Sequence, residues 1–130
     1  MLDLIIKQFS NPDRVITFNN GRFEVLEIKG MILGKATYKP GWRWSKDANP
    51  LAGTKFCEVE HLGIVLSGSA TVAFENEAEY SILRPGDLFY VPPKPHDSWV
   101  LGNDIYVSLH FIGADKYLSL IHISEPTRPY

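Results

Sequence analysis

Apolar and polar residues alternate in short runs along this chain, and turn residues break the runs every eight to twelve positions. Arg14–Phe18 is a β-rich run closed by Asn19-Asn20-Gly21, an Asn-Gly turn signal. Arg22–Lys29 alternates imperfectly, with Phe23, Val25 and Glu27 on one side and Glu24, Leu26 and Ile28 on the other. Met31–Tyr38 reads as a third strand that stops at Pro40-Gly41, and Lys46–Gly53 reads as a polar loop punctuated by Pro50 and Gly53. Phe56–Leu66 is a long β-prone run that Gly68 separates from Ser69–Glu75. Three carboxylates within Glu75–Glu79 belong in a solvated turn. Glu79–Leu83 then leads to Arg84-Pro85-Gly86-Asp87, where Pro followed by Gly suits a type II turn and Asp87 can cap it with its own carboxylate. Leu88–Val91, Asp97–Leu101 and Ile105–Phe111 complete the set. No window holds a helical period over three turns. About nine or ten short strands predict an all-β sandwich or barrel.

The 130 residues suit one domain, and 45% hydrophobic with 22% charged residues is ordinary globular composition. Thirteen Lys and Arg against fifteen Asp and Glu leave a mixed net charge of −2, which argues against a nucleic-acid footprint or a polybasic membrane patch. No apolar run reaches membrane-spanning length, and MLDLIIKQFS lacks a secretory core, so a cytoplasmic protein is expected. The single cysteine excludes an internal disulfide and fits a reducing compartment.

The C-terminal residues are read separately. Leu118–Arg128 (LSLIHISEPTR) resembles, residue for residue, one reading frame of a transposase adapter used in shotgun sequencing libraries. Residues 118–130 are therefore set aside as a non-native tail, leaving one domain over 1–117. His122 leaves the inventory with them, and His61, His96 and His110 remain.

Three stretches, HLGIVLSG (61–68), PGDLFYVPP (85–93) and His96-Asp97-Ser98-Trp99, together resemble the cupin superfamily. Set on the first cupin motif by Gly68, His61 occupies the usual glutamate position, Cys57 the second histidine and Lys55 the first. In the second motif Gly86 and Pro92 fit, His96 arrives one residue early, Lys94 replaces a glycine and Val100 an asparagine. The wider pattern W-x-W-S, C-x3-H-x-G-x-V-L-S-G, P-G-D and H-D-x-W is similar to small single-domain bacterial cupins. The resemblance implies a cupin-type jelly-roll β-barrel, a homodimer, and a ligand or metal inside the barrel mouth.

His61 and His96 lie on different strands and are the expected metal ligands, with Cys57 or His110 completing or tuning the set. Thiolate and imidazole donors suit zinc, iron, nickel or copper, three protein ligands leave a position open, and the expected cofactor is a divalent transition metal, Zn, Fe, Ni or Mn. On one regular strand Cys57 and His61 would stand roughly 13 Å apart, too far for one ion unless a bulge draws them together. His110 shares a face with Tyr106 and Ser108 and reaches the cavity if the opposite, apolar face packs elsewhere. Trp42 and Trp44, placed on one strand face, are candidates to wall a small-molecule pocket or to pad the barrel. Lys55, Tyr90 and Tyr106 are further ligand-binding candidates, and Trp99 is assigned to packing.

Two functions stay open. One is a metal-dependent enzyme acting on a small molecule, as an oxygenase, isomerase or lyase. The other is a metal-free cupin that binds or senses a small ligand, with a metal-free acid–base enzyme using His61 as a lesser variant.

Overall fold

A computed structural model describes residues 2–116 and shows ten strands among them. The tail set aside above, 118–130, lies outside the described residues. The strands are β1 (Arg14–Phe18), β2 (Gly21–Ile28), β3 (Met31–Tyr38), β4 (His61–Ser67), β5 (Ser69–Phe74), β6 (Ser81–Leu83), β7 (Leu88–Val91), β8 (His96–Asp97), β9 (Val100–Leu101) and β10 (Tyr106–Ile112). They form a six-stranded sheet in the order β1-β2-β3-β10-β4-β7, facing a smaller one in which β5 pairs with β6, β8 and β9. All the pairings are antiparallel. The two inner faces enclose the core, in the jelly-roll manner of double-sheet β proteins.

Strand parity decides which side chains reach the interior. Phe23 and Val25 of β2, Ala36 and Tyr38 of β3, Val65 of β4 and Phe89 and Val91 of β7 all point inward and are buried. β10 lies between β3 and β4, and its inward residues Tyr106, Ser108 and His110 pair with Tyr38, Ala36 and Gly34 on one side. On the β4 side Ser108 faces Val65 and His110 faces Gly63. Glycine on both flanks of His110 leaves space for its imidazole, against which the rings of Phe23 and Phe89 pack edge-on at 5.5 and 5.7 Å.

Three sequence expectations change. The run Phe56–Leu66 is not one strand: Cys57 makes an isolated backbone bridge to His96, and β4 begins only at His61. The polar loop holds a single π turn (Trp44–Ala48) and a one-turn helix, α1 (Asn49–Ala52), with Pro50 in its first turn and Gly53 closing it at φ 79°. The helix was invisible to periodicity because it is shorter than any repeat. Asp97–Leu101 splits into β8 and β9, because the Thr71 hydroxyl accepts a hydrogen bond from the Trp99 amide (3.0 Å) where a ladder bond would run. The turn cap predicted for Asp87 is present: its carboxylate accepts from the Arg84 amide at 2.7 Å.

One buried carboxylate ties the turn after β3 to β8. Asp97, 7% exposed, accepts hydrogen bonds from the Arg43 guanidinium (2.9 Å), the Ser45 amide (3.0 Å), the Ser45 hydroxyl (2.8 Å) and the Ser98 amide (2.9 Å). The Trp44 amide donates to the Ser98 carbonyl at 2.8 Å, and the Arg43 guanidinium lies 4.2 Å from the centre of the Trp99 ring. Four donors around one partly desolvated anion make this a charge-assisted network. Asp97→Ala is expected to lower unfolding free energy by about 1–3 kcal/mol, because it removes the shared acceptor of four partly buried donors. Urea denaturation checks this, and a loss below about 1 kcal/mol would mean that the network contributes little.

Candidate metal centre

The break in the chain before β4 creates the site. Reciprocal backbone hydrogen bonds of 2.9 Å between Cys57 and His96 fix these two residues side by side. The chain then turns through Glu58, Val59 and Glu60 and enters β4 at His61, which brings the His61 Nε2 to 3.5 Å from the Cys57 Sγ. The 13 Å separation expected of a regular strand is thereby corrected. Ligand atoms of Cys57, His61 and His96 all lie within 4.8 Å of one another. For a tetrahedral ion with metal–sulfur and metal–nitrogen bonds of about 2.3 and 2.05 Å, neighbouring ligand atoms stand about 3.5 Å apart. The observed Sγ–Nε2 distance matches.

The supporting contacts orient the rings. The His96 Nδ1 lies 2.8 Å from the Lys94 carbonyl, an acceptor only, so Nδ1 carries the proton and Nε2 keeps its lone pair. The His61 ring lies edge-on to those of His96 (5.4 Å) and His110 (5.5 Å). Gly113, at φ 104°, backs the His61 imidazole. A Cβ there would fall 2.2 Å from the Glu60 carbonyl and 3.3 Å from the His61 Nδ1, so only glycine lets the chain pass. That role of Gly113 was not read from the sequence; a glycine directly after a strand was its one signal.

His110 enters the cavity but stands apart from the three-residue group. Its Nε2 is paired with the Ser108 hydroxyl at 2.9 Å, and it lies behind His61. Trp42 and Trp44 are both buried and both line the cavity; Trp42 lies in the turn before the π turn and Trp44 is its first residue, so neither is on a strand. Trp42 stacks on Tyr38 with centroids 3.9 Å apart and planes 6° from parallel. Tyr106 also lines the cavity. Tyr90 and Lys55 do not. Phe89 and Val91 take the inward positions of β7, so Tyr90 faces out, with its hydroxyl donating to the Glu60 carboxylate at 2.5 Å. Lys55 is exposed before the bridge, with its ammonium over the Phe56 ring. Trp99 packs against Arg43 and Tyr80, outside the cavity.

Burial governs the titration of the site. Desolvation pushes the Cys57 thiol up to about 12. It holds His61 well below the ordinary imidazole range, helped by the neighbouring His110 and His96. His96 is lowered by burial, partly offset by the Lys94 carbonyl and the Asp97 charge, and His110 is lowered to about 4 by burial. The site is therefore neutral at pH 7, with imidazole lone pairs ready to bind an ion and a thiol that must release its proton to do so.

Comparison with known proteins bears on the fold. No protein-family model matches the chain, and no curated protein does either. Solved structures do match. The polyketide cyclase RemF from Streptomyces resistomycificus is 16% identical over 88% of this chain and 80% of its own, with a TM-score of 0.58. The cupin domain of Drosophila melanogaster CENP-C is 18% identical over 85% of each chain, with a TM-score of 0.53. Oxalate decarboxylase from Lactobacillus farciminis is 15% identical over 77% of this chain and 30% of its own, with a TM-score of 0.54. The chain has the cupin fold. These likenesses extend to the fold alone, and the residues of the site carry the rest.

Between about pH 6.5 and 4 the unfolded chain binds protons on histidines that the folded chain keeps neutral, so stability falls as pH falls through that window. The metal-free protein is expected to lose urea resistance progressively below pH 6.5, and His110→Asn to show a shallower decline. Equal slopes for the two proteins would contradict burial of a neutral His110.

Proposed function

We propose that this protein is a metal-binding cupin, holding a divalent transition metal with Cys57, His61 and His96 and binding a small molecule in the cavity beside it. The observation that carries this reading is the convergence of three buried or half-buried donors from three separate stretches of chain, with the Cys57 Sγ 3.5 Å from the His61 Nε2. One thiolate and two imidazoles suit zinc, iron or nickel, and less well manganese, which favours oxygen donors. The metal would supply Lewis acidity, or redox chemistry if iron, at a position left open to a ligand. The protein's own part is legible. Lys94 orients the His96 ring through its carbonyl, Gly113 backs His61, and Tyr38, Trp42, Trp44 and Tyr106 shield the cavity from water. Catalysis on that molecule and simple binding of it both fit this arrangement.

The full chain, purified without a histidine tag, is expected to carry one equivalent of transition metal by elemental analysis. His61→Ala and His96→Ala should lose it, and Cys57→Ser should bind at least tenfold more weakly. Retention of a full equivalent by both histidine variants, or no uptake after incubation with zinc, iron, nickel and manganese, would refute the site and leave the metal-free ligand-binding reading.

We also propose a cytoplasmic homodimer. Among the described residues no helix is long and apolar enough to cross a membrane. The outer face of β4 and β7 presents Leu66 (49% exposed), Leu88 (69%) and Tyr90 (56%) in neighbouring register, a patch that a second copy would cover. Light scattering is expected to give twice the chain mass, and Leu88→Glu to give the monomer. A monodisperse monomer for the unaltered chain would reject the pairing.

A further inference from the structure

We infer that the cavity takes a small monoanion, of the short-chain monocarboxylate class, as the metal's remaining ligand. This rests on the metal-binding reading above and goes beyond it by naming the ligand chemistry. Charge is the first observation. Among the described residues that line the cavity there is no Lys, Arg, Asp or Glu. Three carboxylates adjoin the candidate ligands in sequence, and none lines the cavity: Asp97 is committed to Arg43, Ser45 and Ser98, Glu60 accepts from the outward-facing Tyr90, and Glu58, whose charge is felt at Cys57, is exposed to solvent. A divalent ion held by one thiolate and two neutral imidazoles keeps a single uncompensated positive charge. No lining residue can cancel it, and an uncompensated charge in such a site is costly. A neutral ligand leaves that charge standing. A dianion overshoots it, with no lysine or arginine in the wall to balance the excess. A monoanion closes the account at zero.

Size and surface are the second and third observations. The cavity measures about 60 Å³. At the roughly 10–15 Å³ that one water-sized sphere requires, this is space for about four to six atoms, the ion among them, which limits the ligand to a short chain. Its wall is a flat aromatic surface, the Trp42 ring stacked on Tyr38, together with Val72, Leu83, Phe89 and Val91. Such a surface favours a short apolar tail over a second polar group. The indole N–H groups of Trp42 and Trp44 are buried without a hydrogen-bond partner. Both are donors only, so a polar atom that reached them would have to be an acceptor, and a carboxylate offers nothing else.

The test is a titration of the full chain loaded with Co(II), read by its visible absorption and independent of any turnover. Propionate and acetate are expected to change the spectrum saturably, and to bind at least tenfold more tightly than acetamide, the neutral near-isostere, or malonate, the dianion. Val72→Phe, which fills the cavity, is expected to keep the cobalt spectrum and the response to azide while weakening propionate at least tenfold. Loaded protein whose spectrum no monoanion alters, or that binds acetamide or malonate as tightly as propionate, would overturn the inference and leave the metal site standing. Propionate binding unchanged in Val72→Phe, beside an intact cobalt spectrum, would likewise place the anion outside this cavity and overturn it. Failure to take up cobalt at all would defeat the metal-binding reading, and this inference with it.

Discussion

The buried carboxylate of Asp97 is the constraint on which the site depends. β8 is only two residues long and cannot fix its own position by ladder bonds alone. It pairs with β5 along one edge and is bridged to Cys57 along the other, and the hydrogen bonds that Asp97 accepts from Arg43 and Ser45 tie it to the turn after β3. His96 and Asp97 are adjacent in an extended segment, so their side chains leave the backbone in opposite directions. One carries the candidate ligand toward the cavity. The other anchors the turn that brings Trp42 and Trp44 to the cavity wall. The wall and the ligand thus share one reference point, and a displacement of either is felt by both.

A second constraint is desolvation, and it decides the resting state of the site. Coulombic repulsion among the clustered imidazoles is real but secondary, since burial is the leading cause of every histidine shift there. The same burial raises the thiol to about 12. Burial thus widens the pH range over which the cluster is neutral, and the groups pack without unbalanced charge. A metal held as proposed would exchange the thiol proton for a metal–sulfur bond, and the gain in coordination would have to exceed the cost of ionising a buried thiol.

Much of the fold was legible in the chain. β1, β3 and β7 begin and end where alternation and turn residues placed them, because each is bounded by Gly, Pro or Asn and carries β-branched or aromatic residues. The cupin pattern led to the correct fold, and the structure brings Cys57, His61 and His96 together. What alternation could not reveal was the departure from it. Phe56 to Leu66 is uniformly β-prone, and nothing local marks the turn that follows Cys57. The turn is imposed by the pairing of Cys57 with His96, a contact some forty residues away in sequence. Tyr90 and Lys55 were misplaced for a related reason. Their chemistry suits a ligand, but strand parity turns Tyr90 outward and the segment before the bridge leaves Lys55 in solvent.

The motif W-x-W-S and the motif H-D-x-W look like two separate signals in the sequence, yet they are two halves of one contact. Ser45 of the first bonds Asp97 of the second, the Trp44 amide bonds the Ser98 carbonyl, and Arg43 between the tryptophans covers Trp99. This changes what the aromatic residues mean. Trp99 belongs to the outer side of the joint and Trp42 and Trp44 to the cavity side, so three tryptophans that look alike in the chain have two functions. It also shows why Asp97, although next to His96, turns its carboxylate away from the cavity. Because Asp97 is spent on holding the two motifs together, the charge of the site is set by Cys57 alone among the cavity-lining residues. On the proposed metal-binding reading, a single thiolate against a divalent ion would leave room for one more negative charge, and the inferred preference for a monoanion follows from that difference.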